Sequence, residues 1–214
     1  MKLLIATSNP HKIDEIRAVA RDAGAAFELL SLKDVGVDAP EPEEDRDTFA
    51  GNALLKAAYY ARHARLPCVA DDSGLEVDAL GGAPGVVSAR YAGAAGGRDV
   101  IDPANNKKLL AELADTPAEQ RTARFVCAMA LVWPDGEREP LAVRGTFEGR
   151  IITPDQADDP AKPHLGRGRN GFGYDPLFWL DARGCTSAEL SSAEKNAISH
   201  RGDATRKLWA VLRV

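Results

Sequence analysis

The 214-residue chain reads as an α/β protein: a mixed, elongated central sheet flanked by helices, with two lobes around a substrate cleft. Three observations predict this class. Short apolar runs alternate with amphipathic helical stretches along the whole chain. One long strand-like run, 121–133, is followed by a Pro-Asp-Gly turn and a second run, 141–148, that can return antiparallel. The length suits one large domain or two closely joined lobes, so residues 1–214 are taken as a single domain.

Each element has a local reason. Residues 3–7 form an apolar run of the kind that makes a buried strand, and Ser8-Asn9-Pro10 is a helix-start signal with Asn9 as N-cap and Pro10 in the first helical position. Ile13, Ile16, Val19 and Ala20 keep one apolar face, and Gly24 stands where that helix ends. Residues 26–38 predict a second strand and a turn. The acidic, proline-bearing stretch 39–47 predicts a solvated loop, ahead of a helix capped near Asp47 or Thr48 and carrying Ala50, Ala53, Leu54, Ala57 and Ala61. Residues 66–70 then predict a buried strand ending at Asp71-Asp72-Ser73-Gly74, which puts two carboxylates at a strand end.

Residues 81–97 are glycine-rich and predict loop, after which Asp102-Pro103 can open a helix bearing Leu109, Leu110 and Leu113. Prolines and charges in 153–169 predict a surface excursion, and 171–180 leads into another strand. Ser191-Ser192-Ala193-Glu194 fits a capping box before a closing helix that runs to Leu212.

Composition excludes several classes. A net charge of −5 argues against a general nucleic-acid or membrane-surface binder, so a polyanionic ligand needs local cations or a metal. Cys68, Cys127 and Cys185 are odd in number and form no Cys-x-x-Cys pair, which points away from a disulfide framework and a zinc knuckle. No apolar run is long enough for a membrane span or a signal-peptide core, and the chain reads as cytoplasmic.

Four segments carry chemistry. Thr7-Ser8-Asn9-Pro10-His11-Lys12 gathers hydroxyls, an amide, helix-start N–H groups and a lysine, a place that suits phosphate, although ordinary helix starts look similar. Asp71-Asp72-Ser73-Gly74 sets two like charges side by side. They need a proton or cation nearby, most plausibly magnesium shared with substrate phosphates, and a solvated turn is the plain alternative. The third, 166–176, contains Gly-x-Gly-x-x-Gly but enters a strand instead of a helix, which excludes the dinucleotide reading. There Gly171 and Gly173 can admit a ligand closely, Phe172 or Tyr174 can offer a ring to a base, and Asp175 a carboxylate to donors. Last, Lys195 with Ser199-His200-Arg201 sets three possible cations within reach of a phosphate or a purine carbonyl. No Walker A loop, zinc-type His pair or Gly-x-Ser-x-Gly elbow is present.

Taken in order, these segments resemble the inosine triphosphate pyrophosphatase family. The matching stretches are Ala6-Thr7-Ser8-Asn9 with Lys12 and Glu15; Thr48-Phe49 with Asn52-Ala53; Ala70-Asp71-Asp72-Ser73-Gly74-Leu75 through Gly81-Gly82-Ala83-Pro84-Gly85 to Ser88-Ala89-Arg90-Tyr91; Asn170-Gly171-Phe172-Gly173-Tyr174-Asp175-Pro176; and Ala188-Glu189-Leu190 through Glu194-Lys195 to Ser199-His200-Arg201-Gly202. The resemblance spans residues 2–212.

It implies hydrolysis of dITP, ITP and XTP to the monophosphate and pyrophosphate by metal-activated water attacking the α-phosphorus. Thr7, Ser8, Asn9, Pro10, His11 and Lys12 would bind triphosphate. Asp72 would be proton acceptor and Mg2+ contact, and Ser73 would touch substrate. Phe172, Gly173, Tyr174, Asp175, Lys195, His200 and Arg201 would complete the nucleotide site. The resemblance also implies a metal-binding glutamate before Thr48-Phe49, for which Glu43 is chosen by distance, with Glu41 and Glu44 as rivals. Residues 153–165 look like an insertion. A homodimer is implied; nucleic acid and membrane are not expected as partners. A Nudix box is absent, and the rival from another class is a non-catalytic purine nucleotide-binding regulator.

Overall fold

The computed structural model describes residues 1–7, 9–24, 27–136 and 138–212. Its strands β1 (Lys2–Ile5), β2 (Glu28–Ser31), β3 (Cys68–Val77), β4 (Thr122–Val132), β5 (Leu141–Ile151), β6 (Phe178–Leu180) and β7 (Cys185–Thr186) make one seven-stranded sheet in the order β2-β1-β3-β4-β5-β6-β7. It is mixed. β1 runs parallel to β2 and to β3, with Leu4 opposite Cys68 and Ile5 opposite Val69, whereas β6 is antiparallel to both β5 and β7. The α-helices are α1 (Pro10–Asp22), α2 (Phe49–Ala64), α3 (Arg98–Glu112), α4 (Ser192–Ile198) and α5 (His200–Leu212).

Contacts divide the chain into two units, the first made of Met1–Ser73, Cys127–Thr146 and Asn196–Val214, the second of Gly74–Val126 and Phe147–Lys195. In the first unit Leu3 and Ile5 of β1, Ile16 and Ala20 of α1, Met129 and Leu131 of β4, and Leu208 and Trp209 of α5 form one buried cluster. Each such large side chain contributes roughly 1.5–3 kcal/mol by leaving water. α1 starts as its sequence dictates: Asn9 Oδ1 accepts the His11 N–H at 3.0 Å and Pro10 opens the helix. In the second unit Phe178 meets the rings of Phe125 and Phe147, with centroids 4.6 and 5.4 Å away, and Leu75, Val77, Leu109, Leu113 and Leu177 are buried.

Four expectations change. β3 does not stop at Asp71 but continues to Val77, so both carboxylates lie inside a strand. Local apolar content understates that strand because its neighbours neutralise the charges. α3 begins at Arg98 with Pro103 inside it, not at Asp102. The closing helix is two helices, α4 and α5, divided at Ser199; the Ser191–Glu194 capping box does open α4, with Glu194 Oε2 accepting the Ser191 N–H at 2.9 Å. The strand expected in 26–38 is confined to Glu28–Ser31, and Ala26 lies outside the described residues.

One glycine fixes a close approach. A Cβ on Gly145 of β5 would meet His200 O and lie 2.6 Å from Ala204 N, so the backbone of α5 rests directly on β5. That contact sets the height at which His200 and Arg201 leave the start of α5.

Candidate active site

In the first unit the chemistry gathers around β3, where successive side chains face opposite sides. On one side, Asp71 is 2% exposed and its Oδ2 accepts from Lys12 Nζ (3.0 Å), Ser73 Oγ (2.6 Å), and Arg201 Nε (3.3 Å) and Nη2 (3.2 Å). Arg201 also pairs through Nη1 with Glu15 and donates from Nη2 to Ser73 Oγ at 3.0 Å. Burial alone would raise the Asp71 carboxyl, but Lys12, Arg201 and Lys56 together hold it well below the usual carboxylate range. The like-charge problem posed by Asp71-Asp72 is therefore answered for Asp71 by the protein's own cations.

Asp72 lies on the other side. Its Oδ1 accepts the Ser73 N–H at 3.0 Å and its Oδ2 accepts from Asn52 Nδ2 at 3.0 Å. Burial raises this carboxyl above its ordinary value; the Asn52 hydrogen bond opposes that shift and the charge of Glu44 adds to it. α2 supplies Asn52 and, one turn later, Lys56, whose ammonium donates to Asp71 O at 3.2 Å and pairs with Glu44. Burial would lower the Lys56 pKa, yet Asp71 and Glu44 raise it, so the buried lysine stays charged.

Thr7 Oγ1 accepts the Asn9 N–H at 3.2 Å, fixing the turn into α1; Asn9 Nδ2 is buried without a partner among the described residues. Pro10 and His11 are exposed at the helix start, and Ser8 lies outside the described residues. His200 is buried at the head of α5.

Of the loop glutamates, Glu43 is exposed and Glu41 acts electrostatically on Tyr60, whereas Glu44 is the one that Asp72 and Lys56 feel. Among the described residues no group of three or more His, Cys, Asp or Glu comes together as a ready metal cage. Two carboxylates, Asp72 and Glu44, nevertheless fit a hard divalent ion that takes its remaining ligands from phosphate and water.

The second unit holds the other cluster. Asp175 is 2% exposed and accepts from Phe172 N (2.9 Å), Ser187 Oγ (2.8 Å) and Lys195 Nζ (2.5 Å). Gly171, at φ +78°, has no alternative: a Cβ there would strike the Asp175 carboxylate and lie 3.0 Å from Lys195 Nζ. The Phe172 ring is partly open, with the Arg98 guanidinium 4.7 Å and the Lys195 ammonium 5.5 Å from its centre. α3 grips the next peptide, Asp102 Oδ2 accepting the Gly173 N–H at 2.8 Å and Asn106 Nδ2 donating to Gly173 O at 3.2 Å.

Tyr174 is buried and donates its hydroxyl to Ser88 O at 2.8 Å, which leaves Phe172 as the ring open to a base. Lys195 and Arg201 have separate acidic partners, Asp175 for one and Asp71 with Glu15 for the other.

Sequence reasoning passed over Lys56, Asn52 as a working side chain, Asp71 as an anchor, and the α3 residues Arg98, Asp102 and Asn106. A signal existed for Lys56: it interrupts the apolar face made by Ala53, Ala57 and Tyr60, where a charge has to find a partner.

Comparison with known proteins shows the family. The profile of the Ham1 family matches residues 3–211. A dITP/XTP pyrophosphatase of Exiguobacterium sibiricum is 51% identical over 99% of this chain and 97% of its own, and one of Photobacterium profundum is 43% identical over 99% and 98%. A solved HAM1 protein of Coxiella burnetii superposes with a TM-score of 0.82 at 37% identity, covering 100% of this chain and 98% of its own. A nucleoside-triphosphatase/dITP/XTP pyrophosphatase of Mycobacterium abscessus gives 0.72 at 44% identity, covering 100% of both. On the family profile, the near-complete overlap with these relatives and the shared fold, the chain belongs to the Ham1 family.

Proposed function

We propose that the protein hydrolyses non-canonical purine nucleoside triphosphates, dITP, XTP and ITP, to the monophosphate and pyrophosphate, clearing them from the nucleotide pool. The observation that carries this reading is the division of labour across β3. Asp71 is neutralised by Lys12, Arg201 and Lys56, while Asp72, raised by burial, is left next to Glu44 with the character of a base.

Asp72 takes the proton of the water that attacks the α-phosphorus, and pyrophosphate leaves. Lys12, in the first turn of α1, binds the β- and γ-phosphates, and Arg201, locked by Glu15 and Asp71, presents its charge without reorganising. Ser73 links Arg201 to Asp71 and contributes a hydroxyl. Magnesium held by Asp72 and Glu44 would neutralise phosphate charge and make the attacking water more acidic. Glu44 thus replaces Glu43 as the preferred loop ligand. In the second unit Phe172 offers a ring on which a base can stack, with the Asp175–Lys195 pair beside it, and a 6-oxo purine would be favoured by donors aimed at O6. We propose a cytoplasmic homodimer as the working form. Among the described residues no helix is long and apolar enough to cross a membrane.

Pyrophosphate release with dITP and magnesium tests the reading. Turnover is expected for dITP and XTP well above dGTP, and Asp72→Asn is expected to abolish release while nucleotide still binds. Equal rates for dITP and dGTP would remove the selectivity claim, and binding without release in the unaltered protein would favour a regulator.

A further inference from the structure

Asn52 closes the first turn of α2, 1% exposed, with its backbone N–H bonded to Thr48 O at 3.1 Å. Its carboxamide is fully engaged. Oδ1 accepts the Arg46 N–H at 2.9 Å, and Nδ2 donates both to Arg46 O at 3.3 Å and to Asp72 Oδ2 at 3.0 Å. The first two bonds copy a strand-like pairing with one residue of the acidic loop, two positions after Glu44. The third leaves that loop and reaches the proposed base. One turn along the same helix, Lys56 repeats the pattern, pairing with Glu44 on the loop side and donating to Asp71 O at 3.2 Å on the strand side.

We infer that Asn52 is a positioning residue for the hydrolytic step, one carboxamide that holds Asp72 Oδ2 and the backbone of the Glu44-bearing loop in a fixed mutual arrangement. This rests on the reading of Asp72 as the base. Arg46 engages the amide oxygen and one N–H, and the second N–H is spent on a side-chain carboxylate instead of a further backbone carbonyl. The choice of the Asp72 carboxylate as that acceptor is what points beyond the fold to the base. Only an amide meets the whole demand: Asp in its place has no donor for Asp72 and adds a third carboxylate beside Asp72 and Glu44, and Leu, though similar in size, has neither donor nor acceptor.

Two variants and one measurement on the unaltered protein test this. Asn52→Ala removes all three side-chain bonds; Asn52→Asp keeps an acceptor for the Arg46 N–H but replaces the donor to Asp72 with a charge. If Asn52 acts on Asp72, Asn52→Ala lowers kcat for dITP about tenfold or more, with KM changed less than about threefold. Asn52→Asp then lowers kcat further still. If Asn52 only braces the loop, Asn52→Asp is the milder change, and a kcat equal to or above that of Asn52→Ala overturns the inference. Hydrogen exchange of the Arg46 amide in the unaltered protein is the check that needs no variant to fold. Slow exchange is expected, and exchange at the rate of an open chain overturns the clamp. Absence of any nucleotide turnover in the unaltered protein, with Arg46 protected, would instead strike down the hydrolase reading while leaving the clamp in place.

Discussion

Asp71 and Asp72 are neighbours in sequence and opposites in chemistry. Asp71 titrates low, so its stabilisation of the fold is fully present above the ordinary aspartate value and drains away as pH falls from there through its lowered one. Asp72 titrates high, so between the ordinary value and its raised one the folded state holds more protons than the unfolded chain, and stability falls as pH rises through that window. A residue-resolved NMR titration of the metal-free protein should place Asp72 above a free aspartate, and Glu44→Gln should bring it down by removing the like charge. An Asp72 carboxyl at or below the ordinary value would sink its assignment as a burial-raised base. The sequence displayed the pair but not its asymmetry. Alternation in a strand sends Asp71 towards Lys12 and Arg201, and Arg201 is 130 positions away, a distance no local pattern spans. Distance along the loop points to Glu43, whereas Lys56 on α2 pairs with Glu44 and draws that glutamate inward.

Among the elements, α5 depends on Gly145 for its seat. Gly145→Val drives a side chain into His200 O and Ala204 N, an overpacking cost of about 2–3 kcal/mol, which for a chain of this size lowers Tm by roughly 5–10 °C. Because Arg201 leaves from the first turn of α5, the variant should also raise KM for dITP. Calorimetry and steady-state kinetics check the two effects, and an unchanged Tm would mean that β5 and α5 stand further apart. The helix starts with strong local chemistry were legible: Asn9-Pro10 for α1, Thr48 for α2 and Ser191–Glu194 for α4. The start of α3 was not, because its N-cap is Gly97, which has no side chain to announce it, and Pro103 offers a decoy inside the helix. The extension of β3 past Asp71 was illegible for the same reason as the asymmetry of its carboxylates: partners distant in sequence make the charged stretch tolerable in a sheet.

At the level of the whole molecule, the α/β class and the mixed sheet follow from alternation of strand and helix, and the strand order does not. A net charge of −5 leaves the surface mildly anionic, so attraction for a triphosphate has to come from the buried and half-buried cations around Asp71. The proposed homodimer is checked by sedimentation at micromolar concentration, where a particle of twice 22.9 kDa is expected and a single 22.9 kDa species would remove it.

The first unit draws on three separated stretches of chain, the last beginning at Asn196. Leu208 and Trp209 therefore pack on Leu3 and Ile5 only after the whole stretch between them has been synthesised. On the ribosome, β1 emerges well before α5 and waits for its cover, its three buried apolar side chains open to water or to a chaperone until that helix follows. Truncation ahead of Leu208 in α5 would leave that wait without an end.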